Sequence, residues 1–137
     1  MKQRSAVFEY PLVIREHHID TFGHVNNATY LQILEEARWE LITQNGYGMK
    51  EVAERQIGPV ILDLTIKFKK ELRLRKKVII KTFCSEYASM TGKITHIIEN
   101  EKGEIACEAV LTFGLFDLRQ RKLISPTTEW IKAIGME

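Results

Sequence analysis

Residues 6–14 partly alternate, with Val7, Phe8, Tyr10, Leu12, Val13 and Ile14 apolar or aromatic, which predicts a strand. From residue 16 to 27 the pattern breaks into a polar loop holding His17, His18, Asp20, Gly23, His24 and two adjacent asparagines. Then the period changes. Tyr30, Leu34, Ala37 and Leu41 recur on one stripe of a helix predicted from Ala28 to about Asn45, with Asn26 or Asn27 able to cap its start and Gly46 able to end it. Alternation returns over residues 59–70 and 76–86, and again over 89–99 and 104–118. The last two segments are joined through Asn100-Glu101-Lys102-Gly103, a hairpin signal. Residues 130–134 suggest a short C-terminal helical turn. A strand, one long helix and four further strands, without β-α-β alternation, predict an α+β fold in which the helix packs on an antiparallel sheet. The helix requires the sheet, because its apolar stripe has no other surface to bury against.

Composition narrows this picture. A chain of 137 residues suits one core, so a single domain over 1–137 is expected. With 45% hydrophobic and 28% charged residues, three prolines and eight glycines, the chain has the balance of a folded protein rather than a disordered one. No apolar run approaches the roughly 20 residues of a membrane span, and the first residues lead into the alternating strand rather than a signal-peptide core, so a cytoplasmic location is expected. Cys84 and Cys107 fall in strand-like segments without CxxC or Cys/His ligand spacing and read as reduced core thiols. The net charge is +2, yet residues 67–81 contain eight lysines and arginines against one acid, Glu71. That window suggests an anionic partner; it lacks interleaved aromatics apart from Phe68, so nucleic acid is not expected, and phosphates of a substrate suit it equally. Solvated charge blunting a strand edge is the competing reading.

The chemistry concentrates in Asp20-Thr21-Phe22-Gly23-His24-Val25-Asn26-Asn27-Ala28-Thr29-Tyr30. This stretch resembles the D-x-x-G-H-V-N-N-x-x-Y signature of the hotdog-fold acyl-CoA thioesterases, the group similar to 4-hydroxybenzoyl-CoA thioesterase and related to acyl-carrier-protein (acyl-ACP) thioesterases. The resemblance implies a hotdog fold, an antiparallel sheet of about five strands wrapped around one long central helix. It also implies hydrolysis of an acyl thioester without metal or cofactor. By the same resemblance Asp20 faces the thioester carbonyl, as nucleophile through a mixed anhydride or as general base on water. Aspartate is a carboxylate at neutral pH and available for either task, whereas the residues alone read Asp20 equally as a loop carboxylate making turn hydrogen bonds.

Thioester hydrolysis passes through an oxyanion, and a helix N-terminus presents unpaired N–H groups with partial positive charge. The motif match assigns the Asn27 backbone N–H as oxyanion donor, while the Asn27 side chain could serve as a cap. Gly23 would permit a backbone shape or close substrate approach, or be an ordinary turn glycine. His24 would orient Asp20 or the substrate, or polarise water. Phe22 stands where the carrier-protein branch often has asparagine, which favours the acyl-CoA branch. Glu35 matches a second acid of some relatives and lies on the helix flank with Leu31, Arg38 and Ile42; its alternative is a solvated glutamate. Arg73, Arg75 and Lys77 would hold the phosphates of CoA, and Ser89 and Thr91 would flank its pantetheine arm. His17, His18, Asp20 and His24 lack the spacing of a metal template, and His96, alternating in a strand, reads as structural or surface.

Family members pair sheets edge to edge, which implies a homodimer or homotetramer with composite sites. Acyl-ACP hydrolysis and non-catalytic acyl-thioester binding are the alternatives. A hydratase would carry its acid and histidine on the helix, and a regulator would need a further module.

Overall fold

The computed structural model describes residues 4–136. Strand β1 (Phe8–Val13) leads through one 3-10 turn (Glu16–His18) and the polar loop into helix α1 (Asn27–Gln44). A short helix α2 (Met49–Arg55) precedes β2 (Ile57–Phe68), β3 (Lys77–Ala88), β4 (Thr91–Glu99) and β5 (Ile105–Asp117). Strand β6 (Lys122–Ile124) and helix α3 (Thr128–Ala133) complete the order. The sheet runs β1-β3-β4-β5-β2, antiparallel at every pairing. Strand β4 pairs with β5 as far as Gly114, and β6 pairs with the next residues, Leu115 to Asp117, so it takes the place beside β5 that β4 leaves.

Local chemistry explains these elements. The Asn26 side chain accepts from the amides of Ala28 and Thr29 and caps α1. At the other end Gly46 adopts φ +91, and the Tyr47 amide reaches back to the Ile42 carbonyl at 2.8 Å, a left-handed termination that glycine allows. The turn between β4 and β5 is held by Asn100, whose side-chain oxygen accepts from the amides of Lys102 and Glu104.

All four predicted stripe residues of α1 are buried, together with Ile33 and Ile42. Each large side chain among them stabilises the fold by about 1.5–3 kcal/mol on removal from water. The stripe lies over alternate residues of the sheet: Val78, Ile80, Thr82 and Cys84 on β3, and Gly92, Ile94, His96 and Ile98 on β4. The two buried thiols sit on β3 and β5, and burial pushes both up to about 12. Tyr30 and Leu34 pack with Val78, Ile98 and Cys107 towards the end bearing the polar loop; Leu41 and Ile42 pack with Ile94, Phe113 and Trp130 towards the other. Strand β2 lies at a sheet edge and is largely exposed from Ile61 to Phe68.

Two elements, α2 and β6, go beyond the sequence expectation, and the sheet therefore has six strands rather than about five. The predicted C-terminal turn begins earlier, at Thr128, because the Thr127 hydroxyl accepts from the Trp130 amide and caps it.

Candidate active site

Asp20 opens a small hairpin. Its amide donates to the His24 carbonyl at 3.2 Å, and its carbonyl accepts from the Gly23 amide at 3.0 Å. One carboxylate oxygen accepts from the Phe22 amide at 2.9 Å, which leaves the partly buried carboxylate with further acceptor capacity. Gly23 has φ +84, so the turn requires a conformation that side chains resist. The returning limb pairs His24 with Arg73, and the Val25 amide donates to the Leu72 carbonyl. These bonds tie the loop to the chain entering β3 just before α1 begins.

Capping selects one amide at that helix start. Asn26 takes the Ala28 and Thr29 amides with its side chain at 2.8 and 3.4 Å, and its carbonyl takes Tyr30. The Asn27 amide has no protein acceptor among the described residues. The cap is thus Asn26, and the Asn27 side chain is free of that role. A groove at this point is lined by His24, Asn27 and Tyr30 with the Phe68–Glu71 segment. In it the His24 Nε2 lies 3.9 Å from a Glu71 oxygen, and the His24 ring stacks on exposed Phe22 at 6.2 Å.

The basic window is less cationic in space than along the chain. Arg73 bonds Glu71 at 2.5 Å, Arg75 reaches both oxygens of Glu16 at 2.7 Å, and Lys69, Lys70 and Lys81 pair with Glu108, Glu104 and Glu99. The Arg75 hydrogen bonds hold the Glu16 carboxyl below its ordinary range. Of the three cations expected to meet phosphate, the Lys77 ammonium alone has no acidic partner among the described residues. Ser89 sits at the exposed β3–β4 turn with φ +60, and Thr91 pairs opposite Gly114. Both are at the end of the sheet remote from Asp20, so one chain does not bring them together with the loop.

Glu35 is exposed and lies eight residues beyond Asn27, about 12 Å along the helix axis. It does not share the Asn27 groove. With Arg38 it lines a second, apolar cavity walled by Leu41, Ile42, Ile94, Phe113 and Trp130. Sequence reasoning missed the network beneath this wall. Arg38 Nη1 donates to His96 Nε2 at 3.3 Å, which places the ring proton on Nδ1 to donate to Thr82 Oγ1 at 2.8 Å. Thr82 and His96 are fully buried cross-strand partners. Burial, aided by the Arg38 charge, lowers the imidazole to about 3. His18 is also buried, and its Nδ1 accepts from the Arg15 amide at 2.9 Å, a role in closing the 3-10 turn.

Among the described residues no helix is long and apolar enough to cross a membrane. The sequence profile of the thioesterase-like superfamily matches residues 14–134. Long-chain acyl-CoA thioesterase FadM of Escherichia coli (strain K12) is 28% identical over 113 residues, 82% of this chain and 85% of FadM. The chloroplast acyl-acyl carrier protein thioesterase ATL3 of Arabidopsis thaliana is 32% identical over 97 residues, 71% of this chain and 51% of ATL3. The structure of the Staphylococcus aureus protein SAV2348 in complex with CoA superposes with a TM-score of 0.87, 15% identity and coverage of 95% of this chain and 82% of that one. The match from Ile14 to Ile134, spanning the Asp20 loop, the helix and the whole run from β2 to α3, makes the chain a member of the thioesterase-like superfamily.

Proposed function

We propose that the protein hydrolyses an acyl-CoA thioester to a free acid and CoA, with Asp20 at the reacting carbonyl and the Asn27 amide as oxyanion donor. The observation that carries this reading is the selective capping of α1. Asn26 satisfies the two amides that follow Asn27 and leaves the Asn27 N–H, at the positive end of an 18-residue helix, beside the Asp20 hairpin. As general base, Asp20 takes a proton from water, the water oxygen adds to the carbonyl, and the C–S bond breaks to release CoA, which recovers the proton. As nucleophile, its carboxylate displaces the CoA thiolate, and water then opens the mixed anhydride. His24, on the returning limb, orients Asp20 or the incoming water.

Glu35, Ser89 and Thr91 enter through a second copy. Strand β2 presents an unpaired edge bearing exposed Ile61, Leu64 and Phe68. Antiparallel pairing of two such edges about a two-fold axis lays the Asp20 end of one sheet beside the remote end of its partner, so a homodimer, alone or within a tetramer, completes two equivalent sites. Lys77 is then the cation left for CoA phosphate, with Arg73 and Arg75 as weaker contributors through their acid-paired guanidinium groups. The buried free thiols accord with a reducing compartment, and we place the activity in the cytoplasm.

The similarity to ATL3 supports a second reading in which the acyl carrier is a protein. Free-thiol release by the unaltered protein from acyl-CoA and acyl-ACP bearing the same acyl group decides between them. Faster turnover of acyl-CoA supports the first reading, faster turnover of acyl-ACP supports the second, and no thiol release from either contradicts both.

A further inference from the structure

Between Ile14 and Val25, His18 alone has its side chain buried. Two bonds close the turn around it: the His18 amide donates to the Arg15 carbonyl and the Arg15 amide donates to His18 Nδ1, each at 2.9 Å. A ring nitrogen that accepts carries no proton, so His18 is neutral with its proton on Nε2. Arg15 stands on fixed ground. It follows Ile14, which is fully buried and whose backbone bonds to Lys76 and Arg75 where the chain enters β3. Beyond the turn, Ile19 bridges Val25, and the next residue is Asp20, which opens the hairpin. The hairpin is thus attached to the body at two points, through Val25 to Leu72 on its returning limb and through His18 on the limb that carries Asp20.

We propose that His18 is a positioning residue for Asp20: by accepting the Arg15 amide it fixes the limb from which the Asp20 carboxylate meets the thioester, and its protonation releases that limb. This rests on the thioesterase reading above and deepens it, by making the acid limit of the reaction depend on an imidazole that acts through the loop rather than on the substrate. The sign follows from the bond. Only neutral His18 can accept from Arg15, so the clasp holds at higher pH and is lost as pH falls through the titration of the ring. The groups facing the ring set where this happens. Burial, the largest influence, lowers the imidazole from its ordinary 6.5; the His17 ring, at 4.0 Å between centroids, and Arg15 act in the same direction, and Glu36 on α1 opposes them. The Glu36 carboxylate is itself engaged by the Tyr10 hydroxyl of β1. The release therefore falls below the ordinary imidazole range, and the clasp is closed at neutral pH.

The test compares His18→Asn, whose Oδ1 takes the place of Nδ1 and accepts without titrating, with His18→Leu, which fills the space and accepts nothing. With decanoyl-CoA at neutral pH, His18→Leu is expected to lose about tenfold or more in kcat with KM within about twofold, because a misplaced reacting group costs rate rather than binding. His18→Asn is expected to keep kcat within about twofold and to stay active to lower pH than the unaltered protein, since the step set by His18 is gone. A His18→Asn variant as impaired as His18→Leu, or one whose activity fails at the same pH as the unaltered protein, overturns the proposal. Nuclear magnetic resonance supplies a readout that needs no turnover. In the unaltered protein the amide resonances of Arg15, Asp20 and Gly23 should shift with the midpoint of the His18 ring protons, and that step should be absent in His18→Asn. Amides that ignore the His18 midpoint, or a step that persists in His18→Asn, overturn the clasp. Absence of thiol release from every acyl-CoA by the unaltered protein overturns the thioesterase reading instead, and the amide titration still decides whether His18 governs the hairpin.

Discussion

His96 is fully buried, holds its proton on Nδ1 for Thr82 and receives Arg38 at Nε2. A second ring proton would point at a guanidinium, so the folded state resists protonation and the imidazole titrates near 3, far below its ordinary 6.5. The sign of the pH effect follows. Between these values the unfolded chain binds a proton that the folded chain does not, so stability falls as pH is lowered through that window. Chemical denaturation at pH 7 and pH 5 should show a loss on the order of 2 kcal/mol attributable to this residue. His96→Gln, which keeps an acceptor for Arg38 and cannot charge, should remove most of that pH dependence; an unchanged dependence would contradict the assignment. Gly23 marks the other residue whose backbone decides a local shape. At φ +84, Gly23→Ala has open space for its methyl yet is strained in the backbone, and a loss of about 1 kcal/mol is expected on thermal unfolding.

At the scale of elements, α1 joins packing to chemistry. Its side-chain cap on Asn26 both starts the helix and determines which amide is left over, so Asn26→Ala should cost about 1 kcal/mol of stability. It should also lower kcat more than KM is raised, since the freed Ala28 and Thr29 amides would compete for the oxyanion position. Circular dichroism melts and steady-state kinetics on one preparation read both effects, and an unaltered kcat would contradict the coupling. The helix was legible in the sequence because Tyr30, Leu34, Ala37 and Leu41 keep a helical period, and the strands because their alternation matches one buried face. Helix α2 was not legible. It has seven residues, buries none of them fully, and follows Gly48, which has no side chain to cap it, so that only the Glu51 carboxylate accepting from the Gly48 amide marks its start. Strand β6 is three residues long and exists because β5 outruns β4. The Asp20 loop was readable through its motif, but the choice between Asn26 and Asn27 as cap needed the hydrogen bonds. The Arg38–His96–Thr82 chain was hidden for another reason: only strand register places residue 82 opposite residue 96.

The whole molecule changes the meaning of its charge. Along the chain the eight cations of residues 67–81 look like one basic patch, whereas folding brings Glu16, Glu99, Glu104 and Glu108 to four of them and leaves Glu71 on Arg73. Exposed pairs of this kind contribute little stability each, yet they reduce the field that an anionic partner would meet. Lys77→Ala should therefore raise KM for acyl-CoA more than Arg75→Ala does, with neither affecting the matching acyl-pantetheine; equal effects would place the nucleotide elsewhere. The exposed apolar edge of β2 sets the expectation for assembly. Sedimentation should give a dimer or a tetramer, and Leu64→Lys together with Phe68→Lys should yield monomers with sharply reduced turnover, because one chain does not bring Glu35, Ser89 and Thr91 into the groove at Asn27. A fully active monomer would contradict the composite site.

The claim on which the rest depends is that Asp20 performs chemistry rather than shaping its turn. Asparagine at this position can still accept from the Phe22 amide, so Asp20→Asn keeps the loop while removing the charge. Thiol release from acyl-CoA should be abolished in Asp20→Asn while binding of the same acyl-CoA, measured by calorimetry, persists. Full thiol release by that variant would contradict the account.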